Sequence, residues 1–430
     1  MKNRKALALI AILALVAAAC GGSDDAAEEV VEEVTEAVEE VIEEVEEVIE
    51  EVSSDPLVLA SLMPLSGDLA SLGPGIALGA ALAVEQINAA GGINGQPVVL
   101  IEGDSGCDGA VALTSLNDVI AQGAQGVMGA ACSGTSLAIL DTAIAAEVVM
   151  VSPSNTSPQF TKIDKKGFYA RTAPSDLLQG DVLASLLVED GVQTVSIISR
   201  ADSYGRGLAE ATAAAFEAAG GTVKTIVYHA TDATEFTSEV TAVGKGGADA
   251  IVGILFPETG CGVLQPAFEQ GLLDTPWYMT DGVKDAGLAS LCGLGTALDG
   301  FKGTAPGSAA GEAKDAFEAA YAGVSADGSP TFIFAPQAYD AVMLMAISAA
   351  ANGVTGPEIA SGLVAASSGG EKCIGVACIA LAADGVDVDY VGASGEIELN
   401  AVGDPTAATY DIWTTEGDTN PVLKSVDFGS

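Results

Sequence analysis

Basic residues are scarce in this chain. Its 430 residues hold 16 Lys and Arg against 59 Asp and Glu, a formal net charge of -43. After Lys5 the next basic side chain is Lys162. Such a surface repels phosphates, which excludes nucleic acid as a partner. It suits a protein kept soluble in a salty or acidic exterior. Histidine is scarcer still: His229 stands alone. No paired C-x-x-C accompanies it, which argues against a zinc site. No motif pairs a nucleophile with a base, so the residues do not read as an enzyme, and no cofactor is expected. Beyond the N-terminus no apolar run is long enough to cross a bilayer.

What is present begins with a targeting segment. Lys2, Arg4 and Lys5 form a positive start and Ala6–Val16 an apolar stretch. Ala17-Ala18-Ala19-Cys20 follows, resembling a bacterial lipobox, with Ala17 where Leu is usual. The resemblance implies a signal peptide over 1–19 and a lipid on Cys20, in place of a plain secretory signal. Residues 20–54 then form an acidic Glu/Val spacer. Val31, Val34, Val38, Val41, Val45, Val48 and Val52 make a heptad seam. The glutamates around it repel one another at helical spacing, so the spacer is expected to be partly extended at neutral pH. Crowding raises glutamate pKa values in a helix, so acid favours the helical form. A peptide of residues 23–54 should therefore gain circular-dichroism helicity between about pH 7 and about pH 4. A flat signal would reduce the segment to an inert tether.

Six cysteines remain after Cys20, an even count for an oxidising compartment. Cys107 and Cys132 each follow an expected strand at one sheet edge. Cys373 and Cys378 are close enough for a local staple, leaving Cys261 and Cys292. Spacing alone leaves the connectivity open.

From Pro56 the pattern alternates. Strands are expected at Leu57–Leu62, Pro97–Glu102, Gly126–Met128 and Val148–Val151, with helices at Gly75–Asn88, Ala110–Ala121 and from Leu137. The alternation resumes with strands at Thr194–Ser199, Val223–Tyr228, Ala250–Leu255 and Trp277–Met279, separated by helices. Helices at Ala313–Tyr321, Ala335–Ala351 and Pro357–Ala366 and strands at Glu396–Leu399 and Thr409–Trp413 close the chain. That is an α/β protein with parallel sheets covered on both faces. Gly73-Pro74-Gly75 and Gly79 imitate a dinucleotide fingerprint, but some ten residues separate them from the strand, where a nucleotide site has none.

The stretch Ala130–Pro158 carries the chemistry. Cys132-Ser133-Gly134-Thr135 precedes a helix, and Ser or Thr there can cap it and offer N–H donors to a carboxylate. The strand that follows ends in Ser152-Pro153-Ser154-Asn155-Thr156, whose hydroxyls and carbonyls can accept from an ammonium group. Together they suit a zwitterionic amino acid.

Leu62-Met63-Pro64-Leu65-Ser66-Gly67, Gly73 and Ala83–Gly95 together resemble the opening signature of the leucine/isoleucine/valine-binding proteins. These are type I periplasmic solute-binding proteins of ABC transporters. The segments Asp104–Asp108, Ser152–Pro158, Tyr204–Leu208, Phe256–Glu258 and Met279–Gly282 fit the same family. The resemblance implies two doubly wound parallel-sheet lobes joined by a three-strand hinge, with the ligand between them. Lobe 1 would comprise 55–173 and 306–392, lobe 2 174–305 and 393–430. It implies that Ser133 donates to a ligand carboxylate and that Thr156 contacts the head group. The Ser154 carbonyl and Asp281 would receive the ammonium, and Tyr204 would cover the ligand. Cys107 and Cys132 match the family's disulfide. Leu72 stands where the family often has an aromatic, and Leu255 or Phe256 takes the place of a shifted one.

The implied protein is an extracytoplasmic lipoprotein, in the periplasm or on the outer face of the cell membrane. It would capture a branched-chain or related small amino acid, or an amide, by lobe closure and hand it to a membrane permease. A sensor using the same lobes is the alternative, and a nicotinamide-dependent oxidoreductase built on Gly73 and Gly75 a remoter one.

Overall fold

The structure, a computed structural model, describes residues 55–326, 328 and 332–428. The signal peptide, Cys20 and the spacer lie outside the described residues.

The first sheet contains β1 (Val58–Met63), β2 (Val99–Asp104), β3 (Gly126–Gly129), β4 (Val149–Ser152) and β5 (Tyr169–Arg171). Their order is β2-β1-β3-β4-β5, every pair parallel. Leu59, Ala60 and Leu62 of β1 are all fully buried, as expected for a strand covered on both faces. Helices α1 (Gly73–Ala89), α2 (Gly109–Ala121) and α3 (Ser133–Ala145) make the crossovers.

After β5 the chain enters α4 (Asp176–Glu189) and a second sheet. Its strands are β6 (Thr194–Arg200), β7 (Thr222–His229), β8 (Ala250–Ile254), β9 (Trp277–Met279) and β10 (Lys302–Pro306). They are parallel, with α5 (Ser203–Ala218), α6 (Thr237–Gly244) and α7 (Pro257–Glu269) between them. The chain then returns to the first lobe through α8 (Glu312–Val324), α9 (Ala335–Asn352) and α10 (Gly356–Gly362). A small sheet follows, of β11 (Glu371–Ile374), β12 (Val388–Gly392) and β13 (Gly395–Glu396), with α11 (Ala377–Ala383) inside it. Finally β14 (Ala408–Thr414) and β15 (Val422–Phe428) join the second sheet beside β10, both antiparallel to their neighbours. The second sheet is thus mixed, where alternation alone implied a parallel one.

The expected strand at Glu396–Leu399 stops after Glu396. Asn400 and Asp404 draw the chain into a turn, with the Asn400 N–H on the Asp404 carbonyl at 2.9 Å and the Gly403 N–H on the Asn400 carbonyl at 2.8 Å. This turn belongs to the third crossing between the sheets.

The glycines of the apparent dinucleotide motif serve packing. A Cβ on Gly79 would sit 2.2 Å from the Ala335 carbonyl oxygen, and one on Gly75 2.4 Å from the Phe332 ring. They let α1 lie close against the start of α9. Gly79→Ala should therefore push the two helices apart and cost about 1–3 kcal/mol in denaturant unfolding. Parent-like stability would show that the contact relaxes freely.

All six remaining cysteines pair, as Cys107–Cys132, Cys261–Cys292 and Cys373–Cys378.

Candidate functional site

The polar stretch is anchored at the carboxyl ends of β3 and β4, the edge where open α/β sheets bind ligands. Cys132 is the residue before α3, in extended geometry, and no side chain caps the helix. Ser133 is instead the first helical residue, so the hydroxyl expected to cap the helix does not. Its Oγ accepts from the Ser157 N–H at 3.4 Å. The first bond that closes α3 runs from the Ser136 N–H to the Cys132 carbonyl, 3.0 Å. Among the described residues, nothing accepts from the N–H groups of Ser133, Gly134 and Thr135. Uncapped donors at the positive end of a helix are what an anion needs.

The β4 turn is sewn onto this helix start. Ser152 Oγ donates to the Ala130 carbonyl at 2.8 Å and Ser154 Oγ to the Ala131 carbonyl at 3.1 Å. Asn155 Nδ2 donates to both carbonyls, at 3.0 and 2.8 Å. Behind the turn, buried Arg171 donates from Nη1 to the Asn155 and Ser157 carbonyls, each at 3.0 Å. Its Nε donates to Asp404 at 2.9 Å. Burial raises the Asp404 pKa, but the Arg171 charge, hydrogen bonds from Thr161 and Arg171, and Lys165 outweigh it and hold the carboxylate below its usual range.

Opposite lies the second lobe's wall. Tyr204 follows β6, Phe256 follows β8 and Asp281 follows β9, again at carboxyl ends of parallel strands. Asp281 is 4% exposed. Its Oδ1 accepts from Gln179 Nε2 at 2.8 Å and from the Tyr204 hydroxyl at 2.9 Å. Burial pushes its pKa up to about 6, against the pull of those two bonds. Tyr204 stacks on Phe256, ring centres 5.4 Å apart.

Leu72, Ser133, Ser154, Tyr204, Phe256 and Asp281 all line one cavity between the lobes. The free space among them is ≈ 20 Å³, room for little more than a water. Phe256, and not the fully buried Leu255, supplies the aromatic wall. Thr156 departs from its expected place: it is fully buried and lines no part of the cavity. Its carbonyl accepts from the Asp176 N–H at 2.8 Å, which turns the residue toward α4. The structure adds Leu69, Ile76 and Phe334 to the wall, and Gln179 and Asp176 behind it. Gln179 carried a signal, as a polar residue on the apolar face of α4 beside Val182, Leu183 and Leu186. Phe334 carried none, since its place follows from the approach of α9.

A model of the family described as "Periplasmic binding protein" matches residues 56–372. An "Amino acid binding protein" of Pseudomonas aeruginosa is 33% identical over 245 residues, 55% of this chain and 63% of that protein. The match thus spans less than two thirds of that relative. The "Leucine-, isoleucine-, valine-, threonine-, and alanine-binding protein" of the same species is 29% identical over 71% of this chain and 81% of its own. Among solved structures, the branched-chain amino acid transporter substrate binding protein LivJ of Streptococcus pneumoniae, in complex with isoleucine, has a TM-score of 0.73 at 22% identity. It covers 87% of this chain and 100% of its own. An ABC transporter solute binding protein from R. palustris in complex with benzoate has a TM-score of 0.70 at 18% identity, over 87% and 98% of the two chains.

Proposed function

The chain belongs to the periplasmic binding protein family, of the leucine/isoleucine/valine-binding type, and from that premise we propose that it is the substrate-binding component of an ABC importer. It is an extracytoplasmic lipoprotein, held to the membrane through Cys20, and it delivers its ligand to a membrane permease. The ligand is a branched-chain or related small amino acid. The observation that carries this reading is the pairing of opposites across one cavity: uncapped N–H donors at Ser133 on one side and the Asp281 carboxylate on the other. An α-amino acid presents both complementary charges within a single head group. Leu69, Leu72, Ile76, Phe256 and Phe334 give its side chain an apolar pocket. Because the free space is so small, an amino acid enters only when the two walls part. Closure over it would then dry and strengthen the charged contacts. Binding and release do all the work here; the protein transforms nothing. Residues 55–173 and 306–392 form one moving body and 174–305 and 393–430 the other.

Thermal-shift screening tests this reading. Branched-chain and small amino acids should raise the melting temperature, the rise growing with the logarithm of their concentration. A panel of amino acids and amides without effect would overturn it.

A further inference from the structure

The rim of the cleft carries a second set of contacts that the head-group site does not use. Asp68 lies in the loop after β1, beside Leu69 and Leu72 of the cavity wall. Its carboxylate reaches across to the second lobe and pairs with the Arg200 guanidinium at the end of β6. The same carboxylate accepts from the Thr259 N–H at 2.8 Å and from Thr259 Oγ1 at 2.9 Å. One turn further along the loop, the Ser71 N–H donates to Glu258 Oε1 at 3.2 Å. The Arg200 side chain is 4% exposed and that of Asp68 15%, so the pair is largely shielded from salt and water.

Arg200 has a second task. Its guanidinium carbon lies over the Phe256 ring, 3.7 Å from the ring centre, and Phe256 in turn stacks on Tyr204. Its Nε donates to Asp202 at 2.7 Å, and Asp202 caps the start of α5, which carries Tyr204. A planar cation suits this place, since it can stack on a ring and fork to two carboxylates at once.

We propose that Asp68 and Arg200 form a latch that holds the lobes shut, and that Arg200 is a positioning residue which, in the latched state, presses Phe256 and Tyr204 against the ligand pocket. The inference rests on the reading of the cleft as a closing binding site. When the lobes part, Asp68 leaves Arg200 and Thr259, and the aromatic wall loses the cation's outer anchor. Ligand dwell time therefore depends on a contact that never touches the ligand. Losing one partner of a shielded charge pair acts chiefly on dissociation.

The latch can be tested without any ligand. Leu113 on α2 and Phe268 on α7 are 37% and 55% exposed, one on each lobe. Fluorophores attached there through genetically encoded amino acids report the inter-lobe distance in the full chain by single-molecule energy transfer. Asp68→Asn should raise the population with lobes apart about tenfold. Thr259→Val, which removes one hydroxyl and leaves the ion pair, should give a smaller shift in the same direction. Distributions for both variants that superimpose on the parent's would overturn the latch. If the parent also binds an amino acid, Arg200→Lys should hasten its dissociation about tenfold with an unchanged association rate. An unaltered dissociation rate would refute the positioning role. Failure of every amino acid to bind would sink the proposed function, and the distance measurement would still decide for or against the latch.

Discussion

Asp281→Asn should weaken amino-acid binding by about 1.5–3 kcal/mol, or roughly tenfold to a hundredfold or more. The variant keeps the side-chain shape and an oxygen that can still accept from Gln179 and Tyr204. It loses the charge that an ammonium group meets in a buried setting. Titration calorimetry at neutral pH reads the loss directly, and unchanged affinity would remove Asp281 from the site. The parent's pH dependence follows from the same group. Its pKa in the ligand-free fold is raised to about 6. A bound ammonium stabilises the ionised form and so lowers that value in the complex. Affinity is therefore full from about pH 7 upward and falls as acid protonates the carboxyl in the free protein at about pH 6. The ligand's own carboxylate and ammonium keep their charges over that window. The variant should show no such fall between pH 7 and pH 5, and a parallel fall in both proteins would place the titrating group elsewhere.

Arg171→Met should cost about 3 kcal/mol of stability, with more than that within reach. The guanidinium is fully buried and meets Asn155, Ser157, Thr161 and Asp404 at once. Removing it leaves the Asp404 carboxylate with the Thr161 hydroxyl at 2.6 Å and Lys165, at 3.6 Å, as its cation. It also frees the turn that holds Ser154, so ligand affinity should fall along with the melting temperature. The two effects separate in a double-mutant cycle. Arg171→Met with Asp404→Asn should regain part of the stability, because no uncompensated charge remains, yet recover little affinity, because the turn carbonyls stay untied. A single variant as stable as the parent would show that Lys165 alone neutralises Asp404.

How far the molecule was legible depends on where each element sits. The strands of the two parallel sheets read clearly because burial on both faces turns them into continuous apolar runs, as in Val149-Met150-Val151 and Ala250-Ile251-Val252. β11, β12 and β15 escaped notice: they are short, or half-exposed edges whose polar residues break any run. β15 alternates so weakly that only its pairing with β14 makes it a strand. That Ser133, Tyr204 and Asp281 gather at one cavity follows from each standing within a few residues of a strand's end, a distance that motif matching covers. Gln179 stood out only as a polar residue among helical leucines, and its role did not, since its partner Asp281 lies 102 residues away. Thr156 lies outside the cavity lining for a related reason. The turn's identity could be read, but the hydrogen bonds from Arg171 and Asp176 that tie its carbonyls come from outside the turn. The disulfides are the reverse case, where an even count after Cys20 and local spacing went most of the way.

The central claim is that one cleft reads both charges of an amino acid. It is tested most directly by calorimetry with leucine beside its deaminated analogue, 4-methylpentanoate, on the full-length protein at pH 7.5. The two share a carboxylate and a side chain and differ only in the ammonium group. Binding of leucine with the analogue at least about tenfold weaker is the result expected of a site built on Ser133 and Asp281. Equal or tighter binding of the analogue would contradict it, because a buried Asp281 carboxylate cannot favour a ligand that brings only a second negative charge.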